Sequence, residues 1–181
     1  MFITPQSDLS ELKAYPRLLE TWKWFSGLHE KLGHLPSRLD IDPLDIRFCL
    51  GYEMLTENYR EENNCRFRLV GLVVEEFASL SGSVTGLWYD KVLDAESTRR
   101  ACETISSVID KGQPLFGTTS YDRKDGTNWG NARLICPLKR LQGEAEMVFI
   151  VFQGFHEDTC YEKGAIKEQA VRRWLHLGSA G

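Results

Sequence analysis

A chain of 181 residues with 42% hydrophobic and 27% charged residues has the length of one domain and a globular composition, which excludes wholesale disorder and low-complexity repeats. Its 22 Lys and Arg stand against 26 Asp and Glu, a net charge of -4, so no basic field is available to neutralise a nucleic-acid backbone. The first residues lack a basic leader and an apolar stretch, and the longest apolar run, 147–152, is far short of a membrane span.

The first periodic segment is 16–32, where Leu18, Leu19, Trp22, Phe25, Leu28 and Leu32 paint one helical face between Pro16 and Gly33. A proline-punctuated stretch, 35–43, follows, and Asp42 with Pro43 predicts a short helix to about residue 50. Residues 54–60 and 65–72 read as two strands of a hairpin around the polar turn 61–64. From 73 to 89 the period is lost among serines and glycines, so this is the least regular part. Asp94 caps a predicted helix reaching Lys111, with Thr98, Ala101, Cys102, Ile105, Val108 and Ile109 on one stripe before Gly112 and Pro114. Three strands are predicted over 115–122, 131–141 and 147–155, joined by Asp125-Gly126 and by residues 142–144. A basic amphipathic helix over 162–177 closes the chain. The order predicts an α+β fold, a five-stranded antiparallel sheet with inserted helices covering one face.

The five cysteines, Cys49, Cys65, Cys102, Cys136 and Cys160, are odd in number and scattered, unlike a secreted disulfide framework, and point to a reduced, cytoplasmic setting. No Cys-x-x-Cys pair or close histidine spacing occurs, so no metal site is expected. No Gly-x-Ser-x-Gly elbow and no phosphate-binding glycine loop occurs, and the adjacent pairs Glu61-Glu62 and Glu75-Glu76 point apart and read as solvated charges. No catalytic residue is therefore assigned.

Several residues carry a likeness: Trp22, then Leu35, Pro36, Arg38, Asp40, Ile41, Asp42 and Pro43, then the run from Arg66 to Gly71, then Thr85-Gly86. In these the chain resembles the single-domain PAS-like proteins of alphaproteobacteria, with their Leu-Pro-x-Arg-x-Asp-Ile-x-Pro segment after a Trp-containing helix. One departure stands out: the family's acidic residue ahead of Thr-Gly is missing from the run 81–84. The resemblance implies a single PAS-like domain, with 1–51 as an N-terminal helical extension, 52–156 as the core and 157–181 as a C-terminal helix. It also implies sensing or protein interaction rather than turnover, which is a family-level inference and names no ligand.

Against that background Phe67, Trp88, Phe116, Arg133 and Phe149 are the candidate lining of a ligand pocket between sheet and helices. Arg38 reads as fixing a loop by charge-assisted bonds, and Asp40, Asp42 and Asp45 as caps rather than cation ligands. Asn64-Cys65-Arg66-Phe67 copies four letters of the flavin-binding light-oxygen-voltage photosensors, and Asn128, Asn131 and Gln153 could imitate their ring-binding amides. Those photosensors carry the cysteine on a helix, whereas Cys65 falls in a predicted strand, so an ordinary strand cysteine is the favoured reading. Haem is disfavoured too, since the 94–111 helix, where haem-binding relatives place a ligand, has no histidine. No cofactor is required by the sequence. The expected partners are a second copy of the chain and a signalling protein, with the 16–32 helix as the dimer surface and a small ligand possible in the interior. The alternative is a small-molecule-binding enzyme of the same shape, which needs a convergent acid or base in its cavity.

Overall fold

The computed structural model describes residues 11–77, 82–122, 128–156 and 171–174. Helix α1 (Pro16–Leu32) keeps the expected limits: Pro16 opens it, and Gly33, at φ +70°, closes it by donating its N–H to the His29 carbonyl. Strands β1 (Glu53–Tyr59) and β2 (Asn64–Val70) form the hairpin, with Arg68 as a bulged residue, since Leu55 faces Leu69 while Thr56 faces Phe67. A short α2 (Leu72–Phe77) follows. Helix α3 (Ala95–Lys111) starts at Asp94, whose carboxylate accepts from the Ser97 N–H at 2.9 Å, and ends at Gly112.

Strands β3 (Leu115–Asp122), β4 (Asn128–Leu138) and β5 (Glu146–His156) make the meander. The sheet order is β2-β1-β5-β4-β3, antiparallel throughout, and a sixth strand, β6 (Val171–Trp174), adds to the β3 edge. This corrects the expected terminal helix where it is described. Val171 pairs with Thr118 and Trp174 with Leu115, so the open backbone donors and acceptors of β3 recruit these residues as strand. The rest of 157–181 lies outside the described residues. The short helix expected after Pro43 is also absent as such. Asp42 accepts from the Leu44 N–H at 2.8 Å and closes a turn, and only the 3-10 turn Arg47–Cys49 follows.

Both faces of the sheet are covered. On one side α1 buries Leu18, Trp22 and Phe25 against Phe116, Leu134, Cys136, Phe149 and Val151. On the other, α3 and the turn Tyr89–Lys91 cover Met54, Cys65, Phe67, Leu115, Ile135, Val148 and Ile150. The strand period of two sorts the residues: Leu134 and Cys136 face α1, whereas Arg133 and Ile135 face α3. The expectation that α1 lies outside the core as a dimer surface is thereby corrected, because its apolar stripe is spent on the sheet of its own chain. At the turn out of β2, a Cβ on Gly71 would run into the backbone of Gly51, so glycine is required for the two segments to cross.

Candidate functional site

The α3 side of the sheet carries polar groups inside an otherwise apolar layer. Residues 54, 56 and 58 of β1 share this face, which sets Thr56 and Asn58 among the core side chains. The Thr56 and Tyr89 hydroxyls share a hydrogen bond of 2.8 Å, and the Tyr89 ring stacks on Phe67 with centroids 4.1 Å apart. Burial pushes the Tyr89 phenol well above its ordinary value, outweighing the Thr56 bond, so it stays protonated and works as a hydrogen-bonding group. Asn58 donates from Nδ2 to Ser106 Oγ of α3 at 3.2 Å and to Glu146 Oε2 of β5 at 3.1 Å. Glu146 also accepts from Arg60, which reaches Asp110 near the end of α3 at 2.7 Å. These bonds latch the second half of α3 to the sheet.

The first half of α3 is held differently. Thr98, on its sheet-facing stripe, and Asn131, on the same sheet face as Arg133, each carry a buried side-chain oxygen, Oγ1 and Oδ1, with no hydrogen-bond partner among the described residues. Buried oxygens left without a donor cost stability, about 1–3 kcal/mol each in typical cases.

The five residues expected to line one pocket do not come together. Phe67 and Arg133 face α3, where Arg133 is close enough to act on Tyr89. Phe116 and Phe149 face the opposite side, against Tyr15 (5.6 Å between centroids) and Trp24 (5.7 Å) of the α1 segment. Trp88 sits at the β2 edge, 4.9 Å from the Tyr59 ring, with the Arg66 guanidinium 5.9 Å from its centre. The reason is register: Phe116 pairs with Leu134, one residue from Arg133, and a step of one places a side chain on the other face. Of the residues that sequence reasoning missed, Thr56 and Asn58 had one signal, polar side chains alternating with Leu55 and Glu57 in the first hairpin strand, and Tyr89, in the turn before α3, had none.

The proline-rich segment is a clip. Pro36 is fully buried and its carbonyl accepts from Lys139 N–H at 2.7 Å, at the end of β4. Arg38 Nε lies 2.9 and 3.1 Å from the two oxygens of Glu144, in the β4–β5 turn, and this guanidinium holds the Glu144 carboxyl below its ordinary value. Asp40 accepts from the Ser37 hydroxyl and N–H at 2.6 and 2.8 Å, closing a capping box, while Asp42 and the exposed Pro43 shape the following turn. In the run ahead of Thr85-Gly86, Glu75 of α2 accepts from Ser83 Oγ at 2.7 Å and from Val84 N–H at 3.0 Å. Glu75 is therefore no idle solvated charge. Cys65 lies on β2, buried, as the sequence implied. Among the described residues no cluster of three or more metal-ligating side chains occurs, and no helix is long and apolar enough to cross a membrane.

The PAS domain family matches residues 13–152, most of the chain, with all of the clip, the hairpin and α3 and the meander as far as residue 152 of β5. The chain belongs to the PAS domain family. Among solved structures, the PAS fold here is similar to VqmA bound to DPO, at 15% identity and a TM-score of 0.44 over 56% of this chain and 52% of that one, about half its length. It is similar also to a light-oxygen-voltage domain described with a flavin analogue (15% identity, TM-score 0.41, 59% of this chain and 78% of that one). A third is the light state of the Aureochrome1 LOV blue-light photoreceptor (17% identity, TM-score 0.38, 59% and 84%). No curated protein matches the chain.

Proposed function

We propose that this PAS domain is a non-catalytic sensory module that holds a small polar molecule between α3 and the sheet and passes the signal on by protein contact. The observation that carries the reading is the pair of unpartnered buried oxygens, Thr98 Oγ1 and Asn131 Oδ1, on the face that also holds Arg133, Tyr89 and Thr56. A ligand with hydrogen-bond donors satisfies both oxygens and changes how the first half of α3 sits, while the Asn58 and Arg60 bonds keep its second half in place. Phe67 supplies the apolar wall and Arg133 the charged one.

Protein contact, with a second copy or with a signalling partner, is supported by the exposed Leu39 and Leu44, which flank the clip at 69% exposure each. The clip also favours placing the chain with the alphaproteobacterial single-domain group that shares the segment from Leu35 to Pro43. Four free, buried cysteines among the described residues favour a reducing, cytoplasmic location.

Native mass spectrometry of the freshly purified chain, with an absorption spectrum on the same sample, tests the reading. The expected result is a small-molecule adduct that Thr98→Val and Asn131→Leu remove while leaving the ligand-free chain folded and at least as stable. An adduct-free chain whose melting temperature no metabolite extract raises would overturn it, as would an adduct indifferent to both substitutions.

A further inference from the structure

The α1 side of the sheet has a polar corner of its own, at the start of α1. Glu53 pairs with Val151 across β1 and β5 and shares the α1 side with it, while Met54 and Ile150 face α3. Gln153, two residues past Val151, lies diagonally across from Glu53, at about 7–8 Å in a typical antiparallel pair. Its Oε1 accepts from the Arg17 N–H at 3.1 Å, which seats the first turn of α1 on this corner. The Arg17 guanidinium lies over the Tyr52 ring, 3.4 Å from its centre, and Nη1 donates to the Phe152 carbonyl at 3.4 Å. Phe152 N–H in turn donates to the Tyr52 carbonyl at 2.9 Å, so the residue next to Glu53 is held against Arg17 from two directions.

Two atoms of this corner are left over. Arg17 Nε, a donor, and Glu53 Oε2, an acceptor, are buried and meet no hydrogen-bond partner among the described residues, and Glu53 as a whole is only 9% exposed. Arg17, Tyr52 and Gln153 are half-buried, so the corner opens to solvent at the end of the layer. We propose that Arg17 and Glu53 bind a free α-amino acid, with its carboxylate on Arg17 and its ammonium on Glu53.

The chemistry of the two atoms selects this class. A guanidinium N–H calls for an acceptor, best an anionic one, and a carboxyl oxygen for a donor, best a cationic one. A ligand with a single charge would leave the other group buried and unmet, which is costly. An α-amino acid carries ammonium and carboxylate on one carbon and reaches both groups at once, and these two protein atoms do not pair with each other directly. The buried Cys49 thiol, just before β1, feels both charges: burial raises it most, Glu53 raises it further and Arg17 lowers it. The bound molecule ties the first turn of α1 to β1 on the opposite side of the sheet from Thr98 and Asn131, so the two sites are separate.

Thermal unfolding of the full chain with a panel of L-α-amino acids at millimolar concentration tests the proposal, with propionate and ethylammonium, which carry one charge each, as controls. The expected result is a melting temperature raised by about 3 °C or more by at least one amino acid and by neither control. Glu53→Gln and Arg17→Met each abolish the rise, whereas a chain with Thr98→Val and Asn131→Leu keeps it, which tells failure here from failure of the α3-side reading. No rise with any amino acid, the corner then being met by ordered water alone, would overturn the proposal. An equal rise with either control, a rise that survives Glu53→Gln, or one lost with Thr98→Val and Asn131→Leu would overturn it as well. Should a corner variant fail to fold, the contrast between the amino acid and its two single-charge halves on the unsubstituted chain decides.

Discussion

The two faces of the sheet are built from the same five strands and do opposite work. The α1 face is filled by Leu18, Trp22, Phe25, Phe116, Leu134 and Phe149, whose job is burial, and it owes its closure to one amphipathic helix. The α3 face spends part of its area on Thr56, Asn58, Tyr89, Arg133 and two cysteines, and each side has unsatisfied buried atoms, Thr98 Oγ1 and Asn131 Oδ1 here and Arg17 Nε, His29 Nδ1 and Glu53 Oε2 on the α1 side. The contrast is therefore one of core composition, a mainly apolar layer under α1 and a layer under α3 in which hydrogen-bonded polar groups sit among the apolar ones.

Substitutions on each face break or sharpen that contrast. The largest effect is expected from Phe25→Ala, which empties a fully buried site under α1: a loss of about 3–5 kcal/mol in urea unfolding. A loss under about 1 kcal/mol would mean that α1 docks loosely and would restore it as a candidate dimer surface. Next comes Tyr89→Phe, which leaves the buried Thr56 hydroxyl without its partner and should cost about 1–3 kcal/mol. Adding Thr56→Val should return much of that loss, and a double-mutant cycle with no coupling would remove this bond from the account of the α3 face.

Acid weakens both sides in a smaller, graded way. Glu144 and Asp40 of the clip and Asp110 of the α3 latch have pKa values lowered in the folded chain by Arg38, by Ser37 and by Arg60, respectively. Groups of this sign contribute fully above their ordinary values of 4.5 for Glu and 3.8 for Asp, and the contribution is lost as pH falls through the lowered folded values. The urea midpoint should therefore hold steady from neutrality to about pH 5 and fall below it; a midpoint rising on acidification would contradict the assigned ion pairs. The smallest effect belongs to Arg38→Lys, which gives up the two-pronged contact with Glu144 and is read as a fall of a few degrees or less in melting temperature.

The elements with strong local punctuation were legible in the sequence. Pro16 with Gly33 and Asp94 with Gly112 bracket α1 and α3 to the residue, because caps and positive-φ glycines act within one turn of the chain. What depended on distant partners was not. β6 takes its conformation from the open edge of β3, and its sequence fits a helix face as well as a strand. The site failed in the same way: five residues were gathered into one pocket from their types, whereas the face each one occupies is fixed by strand register, a property of pairs of strands. Arg38 and Asp40 were readable as loop-fixing residues, but their partners, Glu144 far along the chain and Ser37 close by, differ in how visible they are from sequence.

The outer sides of β2 and β3 are each met from within the chain. Phe67 of β2 exchanges backbone bonds with Leu87 and Gly86, and Val70 N–H reaches the Thr85 hydroxyl, while β6 lies along β3. On the β3 side the sheet's margin thereby passes to β6, the last strand in the order. A chain shortened to end before Val171 would expose Leu115 to Thr118 as a raw seam, and it should polymerise on storage faster than the chain that keeps Val171 to Trp174.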